Sequence, residues 1–176
     1  MRFESKRIEE EGVLDVARRM CVAARTAPKG RGCDLLATLV LTGSEKESLA
    51  EEMRRIGEER DVHIFVRDSA NLRSAQAVVL MGTAVEQLGV PHCGFCGYRD
   101  CEQNRANNGI CAFNTGDLGI AVGSAASVAA DSRVDTRIMF TAGKAAAGMG
   151  LLGDQVRIAY GIPLSVSGKN PFFDRK

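Results

Sequence analysis

The stretch that decides the reading is Cys93-Gly94-Phe95-Cys96-Gly97-Tyr98-Arg99-Asp100-Cys101, followed after nine residues by Cys111. Of the chain's six cysteines, only Cys21 and Cys33 fall outside it. In a cubane iron–sulfur cluster each iron takes one thiolate, so four sulfurs must meet around one small anionic body. Two residues between Cys93 and Cys96 let a single tight turn present two thiolates side by side. Gly94 and Gly97 can take the positive φ that such a wrap requires. Asp100 to Ala106 reads as a short helix carrying Cys101, and Asn107-Asn108-Gly109 as a turn that brings Cys111 back. Structural zinc is the main alternative, although zinc sites commonly pair two short knuckles and the gap before Cys111 is not one. The spacing also departs from the bacterial ferredoxin run, with four residues before Cys101 and no proline after Cys111.

Outward from this segment, helices and strands alternate. Val13, Val16, Ala17, Met20 and Ala24 recur at helical spacing, predicting an amphipathic helix over 9–24 that ends in Thr26-Ala27-Pro28-Lys29-Gly30. Leu35 to Leu41 reads as a buried strand. Ser44 and Glu47 form a capping box for a helix to about Glu59, with Leu49, Met53 and Ile56 as its stripe. Val62, Ile64 and Val66 alternate with His63, Phe65 and Arg67, which predicts a half-buried strand. A helix through Leu72 and Ala75 leads into a strand at Val78 to Met81. After Cys111, Asn114 or Thr115 is expected to cap a helix from about Asp117, whose Ala121, Ala125, Ala126, Ala129 and Ala130 allow close approach. A strand over 137–141, a helix over 144–152, a strand over 156–160 and a polar tail over 165–176 complete the pattern. The alternation points to a layered α/β or α+β sandwich.

At 176 residues, 45% hydrophobic, with 23 Lys+Arg against 22 Asp+Glu, the chain fits one α+β domain over 1–176, with 91–113 as a cluster-binding segment. The balanced charge points to no nucleic acid and no anionic membrane. The uncharged run Leu118 to Ala130 is too short and too rich in Gly, Ala and Ser to span a bilayer, and residues 1–12 have no signal-peptide core. The expected location is therefore cytoplasmic, where clustered cysteines argue for metal or redox chemistry rather than disulfides.

The opening Cys-Gly-x-Cys-Gly-x-x-x-Cys resembles the single-cluster 4Fe-4S domain of redox-complex subunits and corrinoid iron–sulfur proteins. Further phrases extend the likeness: Ala24-Arg-Thr-Ala-Pro-Lys-Gly, Arg67-Asp-Ser-Ala-Asn, Cys111-Ala-Phe-Asn, Asp117-Leu-Gly-Ile-Ala-Val-Gly-Ser-Ala and Pro163-Leu-Ser-Val-Ser-Gly-Lys-Asn-Pro-Phe-Phe-Asp-Arg. Together they resemble an uncharacterised prokaryotic family of ferredoxin-domain-containing proteins, a likeness that implies a cluster and names no reaction. More faintly, Ala24 to Pro28 and Ala146 to Gly150 are similar to phrases of nitroreductase-like flavoproteins. That likeness implies a homodimer with FMN, whose phosphate would meet a basic C-terminal segment, here Lys169 and Arg175. The arginine-rich N-terminal phosphate motif of that fold is missing, with only Lys6 and Arg7 in its place.

Gly148-Met-Gly150-Leu-Leu-Gly153 satisfies a dinucleotide-binding pattern formally. Its context is reversed, with a helix before and a strand after, so helix packing and a C-terminal cap explain the glycines better. His63 reads as a surface side chain on its strand; His92, beside Cys93, could tune or cap a cluster. Cys21 falls on an apolar helix face, and Cys33 reads as an exposed thiol. The expectation is an iron–sulfur redox protein with Cys93, Cys96, Cys101 and Cys111 as ligands, exchanging single electrons with a redox protein or a small-molecule acceptor. A flavin-dependent reductase fed by the cluster and a zinc-stabilised binding protein stand as its rivals.

Overall fold

The computed structural model of the chain describes residues 2–173. Its elements are α1 (Ser5–Thr26), β1 (Leu36–Leu41), α2 (Gly43–Glu59), α3 (His63–Ser74), β2 (Ala77–Ala84), α4 (Cys101–Ala106), α5 (Ala112–Asp131), β3 (Asp135–Thr136), α6 (Phe140–Gly148) and β4 (Val156–Ser165). The strands form one antiparallel sheet in the order β1-β2-β4-β3. Strand β2 lies inside the sheet, and Ala77 to Met81 is fully buried because it is covered on both faces. Its side chains alternate between two cores. Ala77, Val79 and Met81 join Val13, Ala17 and Met20 of α1 and Leu118, Ala121 and Ala125 of α5. Val78 and Leu80 join Leu49 and Met53 of α2, Phe65 and Leu72 of α3, and Ala142, Ala145 and Ala146 of α6. Each fully buried Leu or Met contributes about 2 kcal/mol, so both layers are needed to hold the sheet.

The two layers attach differently. The small residues Ala121, Ala125 and Ala129 let α5 lie close on α1, and Ser124 Oγ donates to the Ala23 carbonyl at 3.1 Å across that seam. On the opposite face, α6 rests on the backbone of β4: a Cβ at Gly143 would stand 1.9 Å from the Ala159 carbonyl oxygen. The buried ammonium of Lys46 on α2 donates to the Leu72 and Arg73 carbonyls, both at 3.1 Å, and so closes the end of α3.

Five local expectations are corrected. Residues 62–67 are not a strand: Phe65, Asp68, Ser69 and Leu72 are buried at helical spacing while Val62 and Val66 stay exposed, so the helical period wins. His63 accordingly lies in the first turn of α3. The capping box at Ser44 does not form, because Thr42, in extended conformation, is the N-cap and Ser44 already lies in the helix. Helix α5 begins at Ala112 with Cys111 as its N-cap, earlier than Asn114 or Thr115 would place it. In 137–141 only Met139 bridges to Gly161, and the chain then turns into α6 because Thr141, Ala142, Ala145 and Ala146 bury helically. Finally, β4 runs on to Ser165, and the tail is not wholly polar. Phe172 is buried in the second core, and its carbonyl accepts from Arg137 Nη1 at 2.9 Å.

Gly143→Ala should be among the most damaging small substitutions in the chain. The added methyl meets backbone that cannot rotate away, so a loss of about 3 kcal/mol is expected as a shift of the urea midpoint. Gly116→Ala, whose Cβ meets nothing within 4 Å, should leave the midpoint unchanged or raise it slightly.

Candidate metal centre

Strand β2 leaves the sheet at an irregularity between Thr83 and Ala84, and residues 85–111 cross to the start of α5. Side-chain amides hold this connection in place. Asn104, fully buried on α4, accepts from Gln87 Nε2 through Oδ1 at 2.7 Å and donates from Nδ2 to the Ile110 carbonyl at 3.1 Å. Gln87 Nε2 also reaches the Gly109 carbonyl at 3.2 Å. Asn114, buried in the first turn of α5, accepts the Glu86 amide at 2.9 Å. Three stretches of the connection, at 86–87, 104 and 109–110, are thereby tied to one another and to the start of α5.

The loop also rests on the end of α1. Lys29 Nζ donates to the carbonyls of Ala24, Arg25 and Ala27, capping the helix and fixing the turn that follows. From that turn the Gly30 amide donates to Asp117 Oδ2 at 3.0 Å and Arg31 Nη1 donates to the Leu88 carbonyl at 2.7 Å. A Cβ at Gly30 would stand 2.7 Å from Leu88 Cδ1 and 3.1 Å from Phe113 Cδ1, so the turn packs closely on both side chains. The phrase Ala24 to Gly30 thus supports the cysteine loop.

Within the loop, Gly94 and Gly97 take φ of 63° and 82°, and the Gly97 amide closes the Cys93–Cys96 turn on the Gly94 carbonyl at 2.9 Å. Asp100 caps α4 by accepting the Gln103 amide at 2.8 Å, while Gln103 Oε1 accepts the Arg99 amide at 2.8 Å. The Gln103 amide and then the Arg99 guanidinium hold the Asp100 carboxyl below the usual range. The Gly109 amide returns to the Asn104 carbonyl at 2.9 Å, and a Cβ there would stand 2.7 Å from the Tyr98 ring.

These constraints bring Cys93, Cys96, Cys101 and Cys111 onto the wall of one cavity of about 390 Å³, together with His92 and Gly94. Cys111 is buried, the other three are half-buried, and all four are free thiols. Cys101 opens α4 and Cys111 caps the 20-residue α5. Helix starts carry unpaired N–H groups and partial positive charge, which favours anionic sulfur there. Of the charged side chains lining the cavity, Arg99 Nε pairs with Asp100 Oδ2 at 2.8 Å, and Glu102 adds an exposed carboxylate. Among the described residues, no three His, Cys, Asp or Glu are gathered as a single ion would need. Tetrahedral zinc at about 2.3 Å would draw its sulfurs to within about 4 Å of one another.

The other sequence-named positions lie apart. Lys169 is exposed and outside this cavity, and Arg175 lies outside the described residues. Lys6 and Arg7 run along α1 beside Glu10 and Glu11, at 4.0 and 2.7 Å. Gly148 ends α6, with Gly150 and Gly153 at φ of 69° and 93° in the turn to β4, as the capping reading requires. Cys33 is exposed, and Cys21 is half-buried against the first core. Burial pushes the Cys21 thiol up, against the opposing effect of its hydrogen bond with Thr38. Sequence reasoning missed Gln87 and Asn104. Asn104, a weak helix former in the middle of the short α4, was the available signal.

Three kinds of likeness bear on this arrangement. The family model described as "uncharacterized protein containing a ferredoxin domain" (DUF2148) matches residues 107–175, a span that includes Cys111 but begins after Cys101. A curated protein of Archaeoglobus fulgidus, described as uncharacterized, is 37% identical over 183 residues, covering 99% of this chain and 98% of its own. Among solved structures, the FMN-dependent nitroreductase NfnB of Mycobacterium smegmatis, in complex with NADPH, aligns with a TM-score of 0.60 at 13% identity, over 88% of this chain and 78% of its own. The nitroreductase CinD of Lactococcus lactis, in complex with nicotinic acid, aligns with a TM-score of 0.60 at 16% identity, over 94% and 85%. A nitroreductase of Desulfitobacterium hafniense with bound FMN aligns with a TM-score of 0.60 at 12% identity, over 88% and 78%. At such identities the likeness is one of fold: the chain is a nitroreductase-like α+β sandwich.

Asn104→Leu should leave the Gln87 amide with only its longer bond to the Gly109 carbonyl, strip the Ile110 carbonyl of its side-chain donor, and destabilise the connection by about 2 kcal/mol. Hydrogen exchange should then quicken across 85–111 while the amides of β2 keep their protection. Alkylation of the folded protein at neutral pH, read by mass spectrometry, should label Cys33 well before Cys21, because a raised pKa leaves less thiolate.

Proposed function

Because the chain belongs to the family of uncharacterized proteins containing a ferredoxin domain, we propose that it is an iron–sulfur redox protein that transfers single electrons. Cys93, Cys96, Cys101 and Cys111 are its ligands, held within segment 91–113 of a single α+β domain over 1–176. The observation that carries this reading is that all four thiols line one cavity. When bound, a 4Fe-4S cluster supplies a one-electron couple whose potential depends on burial and on hydrogen bonds to sulfur. The chain's own part is to bring the thiols to the wall of one cavity, to place helix starts at Cys101 and Cys111, and to keep one of the four, Cys111, away from solvent. Gln87, Asn104 and Asn114 act behind the ligands by fixing the backbone that carries them.

The electron partner is a redox protein or a small acceptor, and the working form is a homodimer in the cytoplasm, where six thiols stay reduced. A second reading is favoured by the fold alone: an FMN-dependent oxidoreductase in which the cluster feeds a flavin. Lys169 and Arg175 would then take the phosphate, yet the basic residues at the start of α1 are turned along their own helix, which leaves the cradle thin. A zinc-stabilised binding protein is the third, and the nine-residue gap before Cys111, unlike a zinc knuckle, speaks against it.

Protein purified without oxygen should be brown, bleach with dithionite and contain about four iron and four sulfide per chain. Replacing any of Cys93, Cys96, Cys101 or Cys111 by Ser should lower that content severalfold, while Cys21→Ser and Cys33→Ser leave it unchanged. Colourless protein carrying zinc would end the redox reading, and flavin released on heating would move it to the second.

A further inference from the structure

Between β2 and α5 the backbone turns left-handed at five positions, and four of them hold the residue types that such turns favour. Gly89, Gly94 and Gly97 have φ of 66°, 63° and 82°, where a side chain would be strained, and Asn108, at 51°, is a type that tolerates the conformation. The fifth is His92, with φ of 52°, in the turn that follows Pro91. Pro91 fixes its own φ, so the backbone enters this corner with little freedom. Glycine would meet the same turn with less strain, and side chains kept in such conformations gather at functional sites.

His92 directly precedes Cys93 and, although exposed, lies on the wall of the cavity that Cys93, Cys96, Cys101 and Cys111 line. Among the described residues, no hydrogen bond or ion pair engages its side chain. Its polar neighbours on that wall are occupied or of the wrong kind. Arg99 is paired with Asp100, Gln87 donates to Asn104 and to the Gly109 carbonyl, and the carboxylate of Glu102 can only accept. An imidazole carries at least one N–H whichever nitrogen holds it, so the ring of His92 has a donor with no competing partner.

We propose that His92 tunes the redox site: its ring N–H donates to a sulfur of the bound cluster and raises the reduction potential. This role rests on the iron–sulfur reading and adds to it a side chain that sets how readily the site accepts an electron. Reduction brings one electron from the redox partner onto an already anionic body, and a donated N–H stabilises the added charge, which favours the reduced form. No covalent bond breaks, and the proton stays on the ring.

The test is a potentiometric titration of the whole chain, prepared without oxygen, assayed for iron and sulfide, and poised with dithionite and mediators while the visible spectrum is followed. His92→Gly should keep about four iron and four sulfide per chain. At a given poise its ratio of reduced to oxidised cluster should fall about tenfold, a midpoint lower by about 59 mV. Its urea midpoint should stay nearly unchanged, because relief of the turn offsets the freedom glycine gains in the unfolded chain, so a loosened fold is not the cause. His92→Asn, whose amide keeps an N–H on a residue that tolerates left-handed backbone, should recover part of the shift. His63→Ala, at the chain's other histidine, exposed in the first turn of α3, should leave the potential where it was. A loaded His92→Gly with an unmoved or raised potential, a shift that His63→Ala reproduces, or an Asn variant no higher than the Gly variant would overturn the role. So would loss of iron from His92→Gly, since the residue would then hold the cluster rather than tune it. Colourless wild-type protein sinks the iron–sulfur reading and this role with it, whereas loaded protein whose potential ignores His92 sinks this role alone.

Discussion

A loop can hold four thiols on the wall of one cavity only if its backbone is well determined, and in this chain buried side-chain amides meet that requirement. Residues 85–111 contain a single six-residue helix, α4, so most of their N–H and C=O groups lack regular partners. The amide of Asn104, fully buried, reaches Gln87 on one side and Ile110 on the other. An amide has both donors and acceptors, so one residue can tie an N–H donor and a carbonyl acceptor at once. The four thiols stand where they do because the segments before Cys93, after Cys101 and before Cys111 all meet this one side chain.

The sandwich beneath supplies the rigid ground. Strand β2 is buried on both faces and ends where the connection begins, so its last residues cannot move without disturbing two cores. Helix α5 starts where the connection ends, and its seam with α1 is built from alanines that permit close packing. The cysteine loop therefore spans two fixed points and leans on a third, the turn at Lys29 to Arg31 after α1. The same frame that carries a flavin in the Desulfitobacterium hafniense nitroreductase here supports a cysteine-lined cavity.

The electrostatics of the cavity follow from this architecture rather than from its side-chain charges. Arg99 is engaged with Asp100, and the carboxylate of Asp100 is engaged with the amide of Gln103. What remains for an anionic centre, besides the ring of His92, is the backbone: two helix starts and two glycines at positive φ. Backbone dipoles are fixed by the fold and need no reorganisation when charge arrives.

The sequence by itself determined the turn glycines, the helix at Cys101 with its return turn at Asn107 to Gly109, and the apolar stripe of α1. Each of these depends on neighbours within a few residues, where spacing and backbone chemistry suffice. Tertiary structure decided the rest. Residues 62–67 alternate like a strand, yet Phe65 and Leu72 gain burial against α2 only as a helix. Likewise Arg137 to Thr141 yields to α6 because Gly143 allows that helix to lie on β4. Phe172 looked like part of a polar tail until a core stood ready to receive it. Asn104 and Gln87 were illegible for the same reason: a hydrogen bond between residues seventeen apart is set by the chain's path through space, which no local periodicity records.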